Sequence, residues 1–351
     1  MNASIKNGMP MYDVNGNRMH VQFPHIIFHN DKYYLYGSNK EFSDGKSGIW
    51  HWGIRMYVSE DLYNWEDVGS ILPPDEADIE SPLYPRATMC IIYNAKTDTW
   101  VCWVIHMSKQ MAFTFVSDSL FGPYKRTGEG FFPCGFQIGD YDLATTEDGK
   151  GYIYFNHPHK EIVCAELTPD FTSVTGKYTT MLEHPESVPF SREAPAYFCR
   201  EGKNYLITSG TTSFFPNPSE IAVGERHMDE YVTLGNPHVG DETNTSFHTQ
   251  IRSVFKHPKK KDLYVALADR WLPDYMHVPY ESIRDWYIAW FKGASDERLR
   301  EIERESAALG VEPDTMKQDV SMAQCIFLPI TFESDMPKIH WREQWTFEEF
   351  E

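Results

Sequence analysis

Residues 26–37 read IIFHNDKYYLYG, in which an apolar run, a polar Asn-Asp turn and a tyrosine-rich run follow one another. This order is typical of a β-hairpin, because turn residues between two alternating apolar runs favour tight connections. Four later stretches repeat the pattern. They are CIIYNAKTDTWVCWV at 90–104, LATTEDGKGYIYF at 143–155, AYFCREGKNYLITSG at 196–210 and SVFKHPKKKDLYVALA at 253–268.

The five units recur at intervals of roughly 50 to 70 residues, which leaves room for about four strands in each. A long β-sandwich would show shorter and more even spacing. The sequence therefore predicts an all-β fold, a five-bladed β-propeller, as a single domain over residues 1–351.

The hairpin pattern stops between about residues 279 and 317, where helical sequence replaces it. SDERLREIERESAALG, residues 295–310, has acidic residues in its first turn, Ser295 at its start and Gly310 at its end. We expect a helical insertion in the last blade region. It is predicted to be a surface excursion, a contact in a homo-oligomer, or a wall of the active site.

The composition excludes several classes of partner. The chain has 51 acidic and 32 basic residues, a net charge of -19, and such a surface repels nucleic acid.

No apolar run is long enough to cross a membrane, and the start, MNASIKNGMPMYDVNG, lacks a secretory signal, so a cytoplasmic location is expected. The six cysteines include no CxxC pair, which predicts buried free thiols and no zinc site.

Glu193, in the segment Ser191–Pro195, directly precedes the strand of the fourth unit. Loops from all blades of a propeller meet at one central funnel, and burial there raises the pKa of a carboxyl group, as a general acid requires. On position alone, a surface glutamate in a turn is the alternative.

Several short motifs occur in a fixed order along the chain. They are YVSEDLYNW at 57–65, VSDSLFGPY at 116–124, REAPAYF at 192–198, LGNP at 234–237, TSFHTQ at 245–250 and DRW at 269–271. In this order and spacing they resemble glycoside hydrolase family 43, and within it the exo-β-1,3-galactanase branch.

The resemblance implies a role for each of several polar residues. Glu193 corresponds to the general acid. Asp140 corresponds to a second aspartate that tunes the acid and orients the substrate, with Asp142 as the alternative two residues further on. Phe23 stands where most of the family has an aspartate base, and Gln250 corresponds to the glutamine that holds or activates water in the galactanase branch.

The expected sugar contacts come from loops and from positions flanking these motifs. The predicted substrate-binding residues are Arg86, Gln22, His25, Glu41, Asp142, Trp271 and Phe214. The branch's Glu-Arg-Pro motif has no clean match near Glu80 and Arg86, so the identity of the sugar stays open.

These features together predict an exo-acting, inverting glycoside hydrolase that releases galactose or a related sugar from the non-reducing end of oligosaccharides. Arabinofuranosides, galactofuranosides and xylosides are alternative substrates. No cofactor is needed for bond cleavage, although the resemblance allows a structural calcium ion. The rival hypothesis is a non-catalytic sugar-binding propeller that has lost its base.

Overall fold

The computed structural model describes residues 2–75, 81, 83–84 and 87–351. Within these ranges, twenty of twenty-two strands form five four-stranded antiparallel sheets, each built from strands consecutive in the chain. This arrangement is the predicted five-bladed β-propeller. The quoted repeats are confirmed as the first two strands of the five blades.

The strands are numbered in chain order, beginning with the short strand β1 (Ile5–Lys6). The first blade comprises β2 (Gln22–His29), β3 (Lys32–Ser38), β4 (Ile54–Ser59) and β5 (Glu66–Leu72). The second comprises β6 (Ala87–Asn94), β7 (Thr99–His106), β8 (Met111–Ser117) and β9 (Lys125–Arg126). The third comprises β10 (Tyr141–Thr145), β11 (Gly151–Asn156), β12 (Ile162–Leu167) and β13 (Val174–Met181).

The fourth blade comprises β14 (Arg192–Arg200), β15 (Lys203–Gly210), β16 (Glu220–Gly224) and β17 (Val232–Gly235). The fifth comprises β18 (Gln250–Lys256), β19 (Tyr264–Arg270), β20 (Gln324–Glu333) and β21 (Met336–Ile339), and β22 (Gln344–Trp345) follows. The short 3-10 helices are Pro133–Gly135, Pro273–Tyr275, Thr315–Lys317 and Phe347–Glu349.

The core consists of one hydrophobic cluster between each pair of neighbouring blades. The second strand of every blade is buried on both faces, which explains why these strands read as continuous apolar and aromatic runs. Blade pairs are joined, for example, by Tyr36 with Val104, Trp103 with Phe155, Tyr154 with Leu206, Ile207 with Ala266, and Leu35 with Val265.

The N-terminal segment closes the ring against the fifth blade. Strand β1 pairs with β22, and the buried Asn7 side chain ties the segment to β20. Asn7 Nδ2 donates to the carbonyls of Phe327 and Arg342 at 2.8 Å each, and its Oδ1 accepts from the Phe327 amide at 2.9 Å. A single side chain therefore makes three hydrogen bonds to main-chain groups where the two ends of the ring meet.

Replacing Asn7 with alanine is expected to lower the free energy of unfolding by about 1–3 kcal/mol, because the buried Phe327 amide loses its acceptor. Urea unfolding of the variant beside Asn15→Ala, at an exposed position, measures the effect. Equal midpoints for the two variants would contradict this account of ring closure.

Two helices, α1 (Tyr280–Lys292) and α2 (Asp296–Leu309), lie between β19 and β20 of the fifth blade. The Ser295 side chain accepts from the Arg298 amide, and Gly310 adopts the left-handed conformation with φ 69°, as the sequence predicted for the ends of α2. Trp286 of α1 is fully buried and packs on Phe215 beside the fourth blade. None of the described helices is long and apolar enough to cross a membrane.

Candidate active site

Three of the innermost strands have an irregular register where the site lies. The irregularities fall between Gln22 and His25 in β2, Glu193 and Ala196 in β14, and Ile251 and Ser253 in β18. A β-bulge bends its strand and redirects the neighbouring side chains, and it often occurs next to an active site. Phe23 and Ala194 take positive φ angles of 55° and 50° at two of these bulges.

Glu193 is half-buried, and its carboxyl group has a strongly perturbed acidity. Burial is the main cause, and the negative charge of Asp140 adds to it, so that the pKa of Glu193 rises to about 8. Arg252, Arg192 and the Gln250 amide partly oppose this increase. The group is therefore mostly protonated at neutral pH, the state in which it can donate a proton.

The Gln250 amide is held by four hydrogen bonds. Its Oε1 accepts from Trp271 Nε1 at 3.0 Å and from Arg252 at 3.2 Å, and these two donors fix the orientation of the amide. Its Nε2 then donates to Ser209 Oγ at 2.8 Å and to Glu193 Oε1 at 3.3 Å. Gln250 therefore positions Glu193. To hold a water molecule as well, the amide must exchange its 3.3 Å bond to Glu193 for a bond to the water.

Asp140 forms an ion pair with Arg252, two residues beyond Gln250 on β18. The guanidinium donates to both carboxylate oxygens, at 2.9 and 3.0 Å. Arg252 also lies over the Phe23 ring, 3.9 Å from its centroid. A continuous chain of contacts thus runs from Asp140 through Arg252 and Gln250 to Glu193, and charge-assisted bonds of this kind fix geometry strongly.

These groups surround a cavity of about 160 Å³, called the inner cavity below. Its walls also include the aromatic side chains of Phe23, Trp50, Phe214 and Trp271. The Phe214 and Trp271 rings lie 5.1 Å apart, and Trp271 is itself fixed by its bond to Gln250. Apolar rings beside a few placed polar groups are typical of a small-molecule site, and a cavity of this size suits a single sugar ring.

Phe23 occupies the position at which, by the resemblance, most of the family has an aspartate base. Its amide donates to Asp269 Oδ2 at 2.8 Å, and its ring contacts Trp271 at 5.2 Å between centroids. Asp269 is fully buried, and burial raises its pKa to about 7. Lys40 lies nearby in the cavity wall, where burial lowers its pKa to about 7 and its ammonium group donates to the Trp50 carbonyl.

The structure brings together five of the predicted site residues and separates four others from them. Glu193, Gln250, Asp140, Trp271 and Phe214 all line the inner cavity. Gln22, His25, Asp142 and Glu41 do not, and Arg86, like Glu80, lies outside the described residues.

Each of the four separated residues has another environment. Gln22 is buried and donates to the Ala323 carbonyl at 3.3 Å, and Glu41 is exposed. Asp142 accepts from the Tyr197 amide at 2.9 Å and lies 3.6 Å from His25 Nε2. The side chains of Gln22, His25 and Asp142 thus contact the framework of the propeller, and the substrate-binding role of all four residues stays a prediction.

His25, Cys90 and Asp142 form the cluster that comes nearest to a metal site among the described residues, with ligand atoms within 4.8 Å of one another. Calcium prefers six to eight oxygen ligands, and this cluster offers a thiol, an imidazole and one carboxylate. These residues do not fit a calcium ion. All six cysteines are free, and four of them are buried.

Lys40 and Arg252 were not predicted from the sequence, although both line the inner cavity. Arg252 could have been found from the sequence. Residues two apart on a strand face the same side, and Gln250, two residues before Arg252, was a predicted site residue. Lys40 follows the end of β3 in a loop, where no periodic pattern marks its direction.

Comparison with known proteins identifies the family of this chain. The sequence profile of Glycosyl hydrolases family 43 matches residues 17–277. No curated protein sequence matches the chain. The structural neighbours described next are less than 25% identical to the chain and support the fold alone.

One neighbour, a family 43 β-1,3-galactosidase, is 21% identical with a TM-score of 0.78; all of this chain aligns, but it spans only 65% of that protein. A second β-1,3-galactosidase of family 43, solved with galactodeoxynojirimycin, is 24% identical with a TM-score of 0.77 over 98% of this chain and 100% of its own. An exo-β-1,3-galactanase from Phanerochaete chrysosporium, solved with β-1,3-galactotriose, is 17% identical with a TM-score of 0.75 over 98% and 68%.

The profile match covers most of the propeller, including the strands that carry Glu193 and Gln250. This chain belongs to glycosyl hydrolases family 43.

Proposed function

We propose that this hydrolase removes one terminal galactose at a time from the non-reducing end of β-1,3-linked oligosaccharides. The observation that carries the proposal is the inner cavity, which has room for one sugar and places a protonated Glu193 in its wall. The neighbours named as β-1,3-galactosidases and exo-β-1,3-galactanases make galactose the first choice of sugar.

Glu193 is proposed as the general acid. Gln250 Nε2 can only donate, and it bonds to Glu193 Oε1, so the proton of the neutral acid belongs on Oε2. That proton passes to the glycosidic oxygen as the bond to the anomeric carbon breaks. The carboxylate that remains is stabilised by the positive charges of Arg252 and Arg192.

Direct attack by water, with inversion, is proposed for the other half of the reaction. A retaining enzyme needs a second carboxylate free to attack the sugar. Both oxygens of Asp140 accept hydrogen bonds from Arg252, so Asp140 is held as a positioning residue instead. When substrate enters, Gln250 Nε2 can hold the attacking water by exchanging its 3.3 Å bond to Glu193, the longest of its four bonds, for a bond to the water oxygen. The water oxygen bonds to the anomeric carbon as the bond to the leaving oxygen breaks, and the proton that the water loses passes to solvent.

A sugar-binding propeller without catalysis is the second candidate function, and Phe23 in place of a base is the observation that favours it. The network of hydrogen bonds from Asp140 to Glu193 argues against it, because binding alone does not require a carboxyl group with a raised pKa. Release of free sugar distinguishes the two functions. The test is a panel of nitrophenyl β-galactoside, β-xyloside, α-arabinofuranoside and β-galactofuranoside, together with β-1,3-galactobiose.

We expect kcat/KM for β-1,3-galactobiose to stay high through pH 7 and to fall as the pH rises through about 8. The reason is that Glu193 must be protonated, and its pKa is raised to about 8. An ordinary glutamate, with a pKa of about 4.3, would already lose its proton near pH 5. Initial rates from pH 5 to 10 measure the alkaline limb, and a midpoint near pH 5 would contradict the assignment of Glu193.

The cytoplasmic location and the homo-oligomer formed through the helical insertion stay predictions. An oligosaccharide short enough to be imported is the substrate that a cytoplasmic enzyme would meet.

A further inference from the structure

The helical insertion borders a second cavity, called the outer groove here, with a volume of about 960 Å³. It lies between α1, α2 and residues 311–317, and Glu193 and Ser213 line both this groove and the inner cavity. The acid therefore stands at the junction of a small cavity and a groove about six times as large. A substrate cleaved at Glu193 has its terminal sugar on one side of this junction and its leaving group on the other.

We propose that the outer groove binds the leaving-group portion of the substrate as an uncharged oligosaccharide of two or more sugars. This inference rests on the proposed function, and it adds the helical insertion to the substrate-binding surface. The family profile ends at residue 277, before α1 begins, so the match says nothing about this part of the chain.

The wall of the groove offers aromatic surface for sugar rings. Trp290 is half-buried, and Phe291 is 50% exposed. Both line the groove, and Phe291 lies 5.0 Å from the His159 ring of the third blade. Rings that are partly packed and partly exposed present a fixed apolar face, which suits the C–H face of a pyranose.

The polar lining of the groove indicates a neutral ligand. Glu303, Glu312 and Asp314 line it, and the single described cation in the lining, Lys317, is paired with Asp314 at 3.2 Å. An anionic leaving group, such as a uronic acid or a sulfated sugar, would meet net negative charge there. Carboxylates are good acceptors for the hydroxyl groups of an uncharged sugar.

The groove wall is anchored rather than loosely attached. Trp286 Nε1 of α1 donates to Glu305 of α2 at 2.8 Å, and Ile283, Trp286 and Ile302 are buried in a cluster with Phe215 and Trp271. Because Trp271 also bonds to Gln250, the insertion packs against a residue that supports the acid. A fixed wall can bind the distant sugars without first being ordered, so that their binding lowers KM.

The test compares kcat/KM on β-1,3-galactobiose, galactotriose and galactotetraose for the full chain and two variants. Trp290→Ala removes a ring from the groove, and Ala307→Trp adds bulk at an exposed position in its lining. The matched controls are Tyr178→Ala, at an exposed ring of the third blade, and Ala308→Trp, beside Ala307 but outside the lining. Melting temperatures show whether each variant is folded.

We expect wild-type kcat/KM to rise at least tenfold from the disaccharide to the tetrasaccharide. Both groove variants should lose tenfold or more on the tetrasaccharide, mainly through KM, and less than threefold on the disaccharide, while the controls match wild type. Equal losses on all three substrates, or no length dependence in the wild type, would overturn the inference. So would a wild-type dimer that Ala307→Trp dissociates in sedimentation velocity, since the groove would then be a subunit contact.

Binding of galactotriose, measured by calorimetry, separates this inference from the proposed function. If the wild type cleaves none of the three substrates but binds galactotriose, and both groove variants bind it at least tenfold more weakly, the groove stands and the proposed activity fails. If the groove variants bind as tightly as the controls, the groove inference fails whatever the activity.

Discussion

Glu193→Gln is expected to lower kcat/KM on β-1,3-galactobiose by about 10²- to 10⁴-fold, the usual contribution of a general acid. Glutamine preserves the size of the side chain and can still accept a bond from Gln250, but it has no proton to give to the leaving oxygen. Release of galactose, followed by a coupled assay at pH 7, measures the loss.

The control is Glu201→Gln, at an exposed glutamate in the turn of the same hairpin, which should keep wild-type activity. A second substrate separates loss of the acid from loss of structure. Dinitrophenyl β-galactoside has a leaving group that departs without protonation, so Glu193→Gln should retain much more of its activity on that substrate. An equal loss on both substrates, or no loss on galactobiose, would remove Glu193 from the role of acid.

Asp140→Asn is expected to reduce kcat/KM at pH 7 by about tenfold or more and to recover much of the loss at pH 5. The Asp140 charge helps to keep Glu193 protonated, and it also neutralises Arg252. Without that charge, the unpaired guanidinium favours the ionised form of Glu193 and lowers its pKa, as an opposite charge nearby does by about 1–3 units. The alkaline limb of the pH profile should therefore move toward lower pH.

The measurement is the full profile of kcat/KM from pH 4 to 10 for wild type, Asp140→Asn and the exposed control Asp118→Asn. A purely structural role for Asp140 would lower the rate equally at every pH and leave the midpoint unchanged. That outcome would contradict the electrostatic account, and a thermal melt shows whether loss of the ion pair has unfolded the variant.

The propeller could be predicted from the sequence because each blade begins with a hairpin whose turn and alternation are local features. The second strand of each hairpin, such as Lys32–Ser38, is buried between neighbouring blades and therefore has a continuous apolar pattern. The helical insertion was visible for a similar reason, since Ser295 and Gly310 mark the ends of α2.

The site was only partly predictable, because bulges change which side chains face the cavity. Between Gln22 and His25 the register shifts, so counting along β2 does not tell which residue reaches the sugar. Asp140 and Asp142 lie two residues apart, yet Asp140 pairs with Arg252 at the cavity while Asp142 bonds to the Tyr197 amide. Such differences depend on contacts between blades and leave no local signal.

The position of Lys40 and the shape of the outer groove could not be predicted from the sequence, for the same physical reason. Lys40 gains its position from the rings of Phe23, Phe214 and Trp271, which come from three different blades and lie within 5.7 Å of its ammonium group. The groove exists only because α1 and α2 pack over the junction at Glu193.

The central claim is that one terminal sugar occupies the inner cavity and is released by direct attack of water. Proton NMR of β-1,3-galactotetraose during the first minutes of hydrolysis tests it most directly. The account predicts free galactose and galactotriose as the first products, with the galactose appearing as its α anomer because attack inverts the β linkage. Early release of galactobiose, or galactose that appears first as the β anomer, would contradict it.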